Sequence, residues 1–321
     1  MAYNNKTPFF FSSTQSLDDE LGRTLNFVWA NYVSLRDMWW QVRGYKNSFP
    51  TQTVKELNNK FLSGLPNPGG IDLKDICINT EWSEHENEFC KWLLFDCCTL
   101  YEGWIENICE KLFSGNYGKS LQFPISTNGS GNQTGYIMAL NAINNNESQL
   151  IKNEFYPNLL NNKLNRLSSI NEYLIAYRYF KECRNTFIHS NGCVTNKVIE
   201  TYNELINVQN NNSPFSHNFA LEIPILGDKI KLKLDDCKLF SFIIRNIIAT
   251  FDAELSKHIK SEDILKNRIR DLISTSHKWK SISSDPDKKL KKIHRILVAS
   301  RVPEPINITN IKVWMEGKSL I

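Results

Sequence analysis

Between Glu86 and Phe113 the chain reads ENEFCKWLLFDCCTLYEGWIENICEKLF, and Phe89, Leu93, Cys97, Leu100, Trp104, Ile108 and Leu112 return every three or four residues. That spacing follows the 3.6-residue helical turn and does not fit a strand, whose faces alternate at every second residue. A long helix with one apolar stripe needs other helices to cover it, so an all-α bundle is the expected class. Asp96 breaks the stripe between Leu93 and Leu100, and a carboxylate among apolar neighbours needs a partner. Glu102 and Glu106 fall towards the opposite face.

Three further segments carry helical spacing. Residues 17–43 form one amphipathic pattern, with Asp18, Asp19 and Glu20 at the front, where carboxylates favour a helix N-terminus. Residues 170–188 place Tyr173, Ala176, Tyr177, Phe180, Cys183 and Phe187 on one side, and Gly192 just beyond is a stop signal. Helix is expected again over 237–258. The breaker cluster at 62–72 (Gly64, Pro66, Pro68, Gly69-Gly70) closes an N-terminal region. The stretch 114–136, rich in Gly, Ser and Asn, reads as a loop or small hairpin. Residues 219–234 alternate around Gly227-Asp228, which predicts a hairpin between helices. Residues 261–301 are helical in pattern with a break near Asp285-Pro286, and the last twenty residues carry no clear signal. The expected organisation is an N-terminal helical extension (1–83), a central helical domain (84–258) with a small β-hairpin insertion, and a basic helical tail (259–321).

With 321 residues and 41% hydrophobic content the chain can bury a sizeable core. No apolar run approaches the roughly 20 residues that span a bilayer, and Phe9-Phe10-Phe11 is too short for a secretory core, so a cytoplasmic protein without membrane contact is expected. Eight cysteines form no C-x-x-C pair and read as buried thiols; neither a metal nor another cofactor is called for. The four N-x-S/T sequons (Asn128, Asn132, Asn146, Asn307) matter only in a secreted chain. The G-K-S at 118–120 is not a phosphate loop, because Phe113 stands where the first glycine belongs.

The net charge of +4 conceals an uneven distribution. Residues 257–301 hold 13 Lys/Arg against 5 Asp/Glu, so this segment carries +8 and the remainder −4. Such a run is commonly a solvated face. Here Trp279 and His277 interleave with Lys278 and Lys280, as on surfaces that combine phosphate contact with base stacking. RNA or tRNA contact through Lys278, Lys280, Lys288, Lys289, Lys291, Lys292 and Arg295 is the functional expectation, with an acidic partner protein next.

Cutting RNA by internal transesterification needs a proton acceptor for the 2′-OH, a donor for the leaving oxygen and a cation for the phosphorane. Histidine and arginine can supply these: one titrates near neutrality, and the other presents a charged planar fork that matches phosphate. Arg followed after four to six residues by His occurs twice, against about 0.6 matches by chance. Arg270 to His277 has no adjoining Asn or apolar pair and is taken as coincidence. Arg184 to His189 lies within C-R-N-T-F-I-H-S-N-G-C-V: Arg184, Asn185, Thr186-Phe187-Ile188, His189, a polar turn ending in Gly192, then Cys193-Val194.

This string resembles the Arg-Asn…His element of the HEPN family, as do the aromatic helix before it and the earlier helix carrying Y-E-G-W-I-E-N (Tyr101–Asn107). The resemblance covers about 84–258. It implies a helical bundle that dimerises, two Arg…His elements facing across the interface to form one centre that cleaves single-stranded RNA or tRNA loops without metal. By the same resemblance Arg184, Asn185 and His189 are the catalytic residues: His189 base or acid, Arg184 the phosphorane cation, Asn185 their orienter. Family members serve as toxins, in anti-phage defence and in RNA-guided nucleases, and some are non-catalytic RNA- or protein-binding subunits of defence complexes. Some carry a Tyr two residues after the His that an antitoxin modifies. Position 191 here is Asn, so that mode of neutralisation is not expected, and an antitoxin or other partner is left open. A third reading, a DNA- or RNA-binding helical protein driven by its tail, treats the motif as incidental.

Helix geometry adds an independent constraint. Asn185 and His189 share a face, whereas Arg184 lies about 140° from His189 and falls with Tyr173, Tyr177, Phe180 and Phe187. Arg184 therefore needs a partner from elsewhere, with Asp96 or Glu102 as supporting carboxylate. Position alone makes His189 a helix C-cap, and the adjoining Arg184-Asn185 favours a functional reading. For Asp96 the plainer reading, a carboxylate satisfied by a neighbouring donor, is preferred. Trp39, Trp40 and Trp104 are expected in the core rather than as stacking platforms.

Overall fold

The apolar stripe of 86–113 is the inner face of a helix that runs from Trp82 to Leu112, and every stripe residue except Leu100 is buried. The computed structural model describes residues 9–62, 72–115, 117–275, 277–280 and 284–321. The breaker cluster expected at 62–72 therefore lies almost wholly outside the described residues. In chain order the helices are α1 (Ser12–Ser48), α2 (Val54–Phe61), α3 (Trp82–Leu112), α4 (Ile137–Asn144), α5 (Gln149–Glu154), α6 (Tyr156–Leu160), α7 (Ile170–His189), α8 (Asn196–Asn212), α9 (Leu234–Ser256), α10 (Ser261–Ser274), α11 (His277–Lys280), α12 (Pro286–Ala299) and α13 (Ile308–Gly317). Two short strands, β1 (Ser126–Thr127) and β2 (Gln133–Thr134), pair antiparallel. The fold is all-α in class.

Helices α3, α7 and α9 meet along their apolar faces. Tyr101 crosses Tyr177 edge-on at 4.9 Å, and Phe180 stacks on Phe240 at 4.6 Å. All four rings are fully enclosed, each contributing roughly 1.5–3 kcal/mol through burial. The N-terminal half of α1 adds Leu17, Leu21 and Val28 to this core, and α10, α12 and α13 add Leu265, Ile293, Ile296, Ile311 and Met315. A smaller cluster of Trp39, Val42, Leu57, Leu73 and Cys77 fixes α2 to the far end of α1. The cores of 1–83 and 259–321 are thus largely continuous with that of 84–258. Seven of the eight cysteines are buried and Cys193 is half-buried; all are free thiols.

Several expectations are corrected. Helix α1 begins at Ser12, so Asp18–Glu20 are not its front. The chain is caught earlier, where the buried Asp252 carboxylate accepts the N–H groups of Phe10 (2.5 Å) and Phe11 (3.0 Å). Asp18 instead holds Arg245 through two bonds of 2.5 and 3.0 Å. The paired hairpin sits at 126–134, while 219–234 has the turn but no paired strands. Trp39 and Trp104 are buried as expected, but Trp40 is 64% exposed. The uninformative C-terminus forms a docked helix: buried Glu154 accepts the Asn307 N–H and the Asn310 amide, each at 2.7 Å.

Candidate active site

Helix α7 is aromatic on one side and polar on the other. Its inner side supplies Tyr173, Tyr177 and Phe180 to the core. On its outer side Arg178, Lys181, Glu182, Asn185 and His189 recur at three- and four-residue steps, which puts them on one face. The helix stops because Asn191 and Gly192 take positive φ (51° and 76°), allowing the Ser190 and Gly192 N–H groups to cap the Thr186 carbonyl at 2.9 and 3.0 Å. His189 is therefore the last helical residue. Its side chain is exposed, and among the described residues nothing hydrogen-bonds to the imidazole.

A chain of polar contacts orders the rest of this face. Arg184 Nη1 donates to Asn185 Oδ1 at 3.1 Å, and Asn185 Nδ2 donates to Glu182 Oε2 at 3.4 Å. The other Glu182 oxygen pairs with Arg178, whose guanidinium lies 4.4 Å from the Phe123 ring centre. Lys181 reaches Glu102 on α3 at 2.6 Å and also donates to Gln122. Tyr177 donates to the same Glu102 oxygen at 3.0 Å. The amide of Asn185 is thus oriented by a carboxylate on one side and holds the guanidinium on the other. Arg184 is half-buried, and its Nε is enclosed without a hydrogen-bond partner.

The nearby Cys98 thiol is pushed up to about 12, chiefly by burial and secondarily by Glu102, with Arg184 opposing. This is a low-dielectric setting for the guanidinium, where an anion placed against it would interact more strongly than in water. The pair Arg178–Glu182 is similarly sheltered, at 12% and 9% side-chain exposure.

The structure gives neither expected carboxylate to Arg184. Asp96 faces α1, where its oxygen takes the Thr24 hydroxyl, beside the groove lined by Phe27 and Trp92. Glu102 is on the α7 side but is used by Lys181 and Tyr177. Sequence reasoning missed Arg178, Lys181 and Glu182. Their signal was present: a polar file at helical spacing through Asn185 and His189, opposite the aromatic stripe.

In the tail, two ammonium groups lie over the Trp279 ring, Lys278 at 4.7 Å and Lys292 at 5.2 Å from its centre. Lys280, Lys288, Lys291 and Arg295 are exposed, Lys288 lying 3.9 Å from Asp285. Lys289 pairs with Glu316 at 2.6 Å. Not all of the +8 is available to a ligand. Lys257 is buried against Glu254 at 2.8 Å, and Arg268 donates to the carbonyls of Phe10 (2.7 Å) and Arg301 (2.6 Å).

Compared with known proteins, the chain matches no family model, no curated protein and no solved structure. No helix among the described residues is long and apolar enough to cross a membrane.

Proposed function

We propose that the protein is a metal-independent endoribonuclease of the HEPN type, acting on single-stranded RNA or tRNA loops as a toxin or anti-phage effector. The observation that carries this reading is the state of α7's end: a guanidinium held by Asn185 and an unpartnered imidazole at the last helical residue. His189 would exchange protons with the 2′-OH or the leaving oxygen, and Arg184 would take the phosphorane charge. Asn185 would hold Arg184 in place.

One chain supplies a single imidazole at this end, displaced about 7.5 Å along the axis and 140° around it from Arg184. Two proton transfers and one cation at a single phosphate are met more readily by two copies facing each other, so the active form is proposed to be a homodimer. The lysines about Trp279 would hold flanking phosphates. The half-buried setting of Arg184 favours, as second reading, a non-catalytic HEPN subunit that binds RNA or a partner protein.

The test is cleavage of labelled single-stranded RNA and tRNA, with chelator present, by wild type, His189→Ala and Arg184→Ala. Discrete products from wild type alone support the nuclease. Equal, salt-sensitive binding by all three without any cutting supports the subunit.

A further inference from the structure

The legs 219–225 and 228–233 lead into and out of a turn closed by the Asp228 N–H donating to the Ile225 carbonyl at 3.0 Å. Beyond that bond their backbones make no hydrogen bond to each other among the described residues. A cleft of about 200 Å³ opens between them above Tyr179, Val194 and Val198. The second leg is anchored through its even positions: Ile230 N–H to the Gly192 carbonyl (2.9 Å), Leu232 N–H to Asn87 Oδ1 (3.3 Å) and Leu234 N–H to Glu86 Oε1 (3.1 Å). The N–H groups of Leu221, Ile223, Ile225, Lys229 and Lys231 make no hydrogen bond among the described residues.

Side chains on these legs follow the same alternation. Ile230, Leu232 and Leu234 are buried, while Lys229, Lys231 and Lys233 stand exposed, about 6.6 Å apart along an extended chain. On the first leg and turn, Ile223, Ile225 and Leu226 are 77%, 62% and 58% exposed. Unpaired extended backbone beside uncovered aliphatic side chains is the condition under which a sheet edge recruits another strand.

We propose that this splayed hairpin is the docking site for an extended segment of a partner protein, with side chains alternating between acidic and apolar. Its backbone would pair with the free N–H groups, its carboxylates would meet the lysine row, and its apolar side chains would cover Ile223, Ile225 and Leu226. RNA fits less well. A phosphate run can meet the lysine row, but the free N–H groups and the uncovered Ile223, Ile225 and Leu226 call for a peptide backbone and apolar side chains that RNA lacks. Among the described residues the rings lining this surface are Tyr179, which is buried, and Phe187, which is half-buried, so no open platform is offered to a base.

Lys229 also donates to the Asn191 carbonyl, and Ile230 to that of Gly192, so an occupant would lie beside the end of α7. The docking inference does not rest on nuclease activity, and its test uses no RNA cleavage.

Fluorescence anisotropy of the full chain is measured with four labelled probes: acetyl-(Glu-Val)4-amide, the same peptide N-methylated at alternate residues, acetyl-(Lys-Val)4-amide and oligouridine. The acidic peptide is expected to bind saturably, and the N-methylated and basic peptides at least tenfold more weakly. The triple variant Lys229→Glu, Lys231→Glu, Lys233→Glu, with circular dichroism matching wild type, should then prefer the basic peptide and still bind its N-methylated form at least tenfold more weakly. Absence of saturable binding by (Glu-Val)4 overturns the proposal, as does indifference to N-methylation. Binding of oligouridine alone, abolished by the triple variant, makes the row a nucleic-acid track and also overturns it. So does sedimentation showing a second copy closed over this face, if the dimer is broken by Ile225→Asp.

Discussion

The cations of α7 and those of the tail differ in what holds them. On α7, Arg178, Lys181 and Arg184 are each tied by a named side chain, Glu182, Glu102 and Asn185 respectively, and the ion pairs are at most 23% exposed. On α12, Lys288 meets Asp285 at 3.9 Å with 73% of its side chain exposed, and Lys291 and Arg295, with Lys280 at the end of α11, stand in solvent. Held cations can be aimed at one phosphate, because no side-chain entropy is lost when the ligand arrives. Solvated ones attract a polyanion without fixing where it is cut. Under the proposed function the cleavage centre would lie on α7, and the tail would supply the sequence-independent part of affinity.

The largest expected effect separates the two regions by rate. His189→Ala should lower the single-turnover cleavage rate by about 10²–10⁴, the range for a lost acid–base group, with circular dichroism unchanged because the side chain is exposed. Neutralising Lys288, Lys291 and Arg295 to Gln should leave that rate within a few-fold at saturating RNA. It should reduce the dependence of log Kd on log salt by about 0.7 per phosphate contact removed from a single strand. If the tail variant loses rate at saturation while His189→Ala keeps it, the assignment of roles is inverted.

Next in size is stability. Glu182→Gln leaves Arg178 with a weaker partner at 12% exposure and frees Asn185 from its orienting carboxylate. A loss of about 2 kcal/mol in urea unfolding is expected, since breaking a sheltered pair strands the remaining charge. RNA cleavage should fall further than occupancy explains, through misplacement of Arg184. A neutral Glu182→Gln would show that the file on α7 is solvated like the tail.

The stripes on α3 and α7 were legible because helical burial is a local, periodic property. That Arg184, Asn185 and His189 share the last two turns of one helix was legible in the same way, while the role given to them rests on the resemblance alone. What escaped depended on contacts distant in sequence. Asp18 looked like a helix front, but Asp252 catches the chain at Phe10, 242 residues away, and sets the start of α1 instead. The stripe told that Asp96 needs a donor but not that Thr24 on α1 supplies it. The alternation at 219–234 recorded one buried face, and no periodicity can report that a neighbouring leg stays apart. Trp40 was misjudged because size and apolarity say which residues tend to be inside, while the turn of α1 decides which face meets a partner.

The junction between the tail and the N-terminal segment is probed through pH. Burial raises Asp252 from its ordinary 3.8 to about 7, against the Thr14 and backbone donors and Arg268, and burial lowers Arg268 to about 10. A carboxyl whose folded value is raised binds its proton more tightly in the folded chain. Its contribution is full below 3.8 and is lost as pH rises to about 7. The Tm of wild type minus that of Asp252→Asn should therefore decline across this window and flatten above it. A difference that grows with pH would mean that the N–H donors of Phe10 and Phe11 outweigh burial.

The smallest effect marks the surface limit of the comparison. Lys289 and Glu316 approach to 2.6 Å but are 21% and 39% exposed, so Lys289→Ala should cost less than about 1 kcal/mol. In contrast to Glu182→Gln, most of that cost should disappear at 1 M salt, where screening acts within about 3 Å. Salt insensitivity would mean that Lys289 contributes through its aliphatic stem packed against α13. The tail would then be a folded buttress of the core more than a free cationic arm, and its share of RNA affinity would shift to Lys280, Lys291 and Arg295.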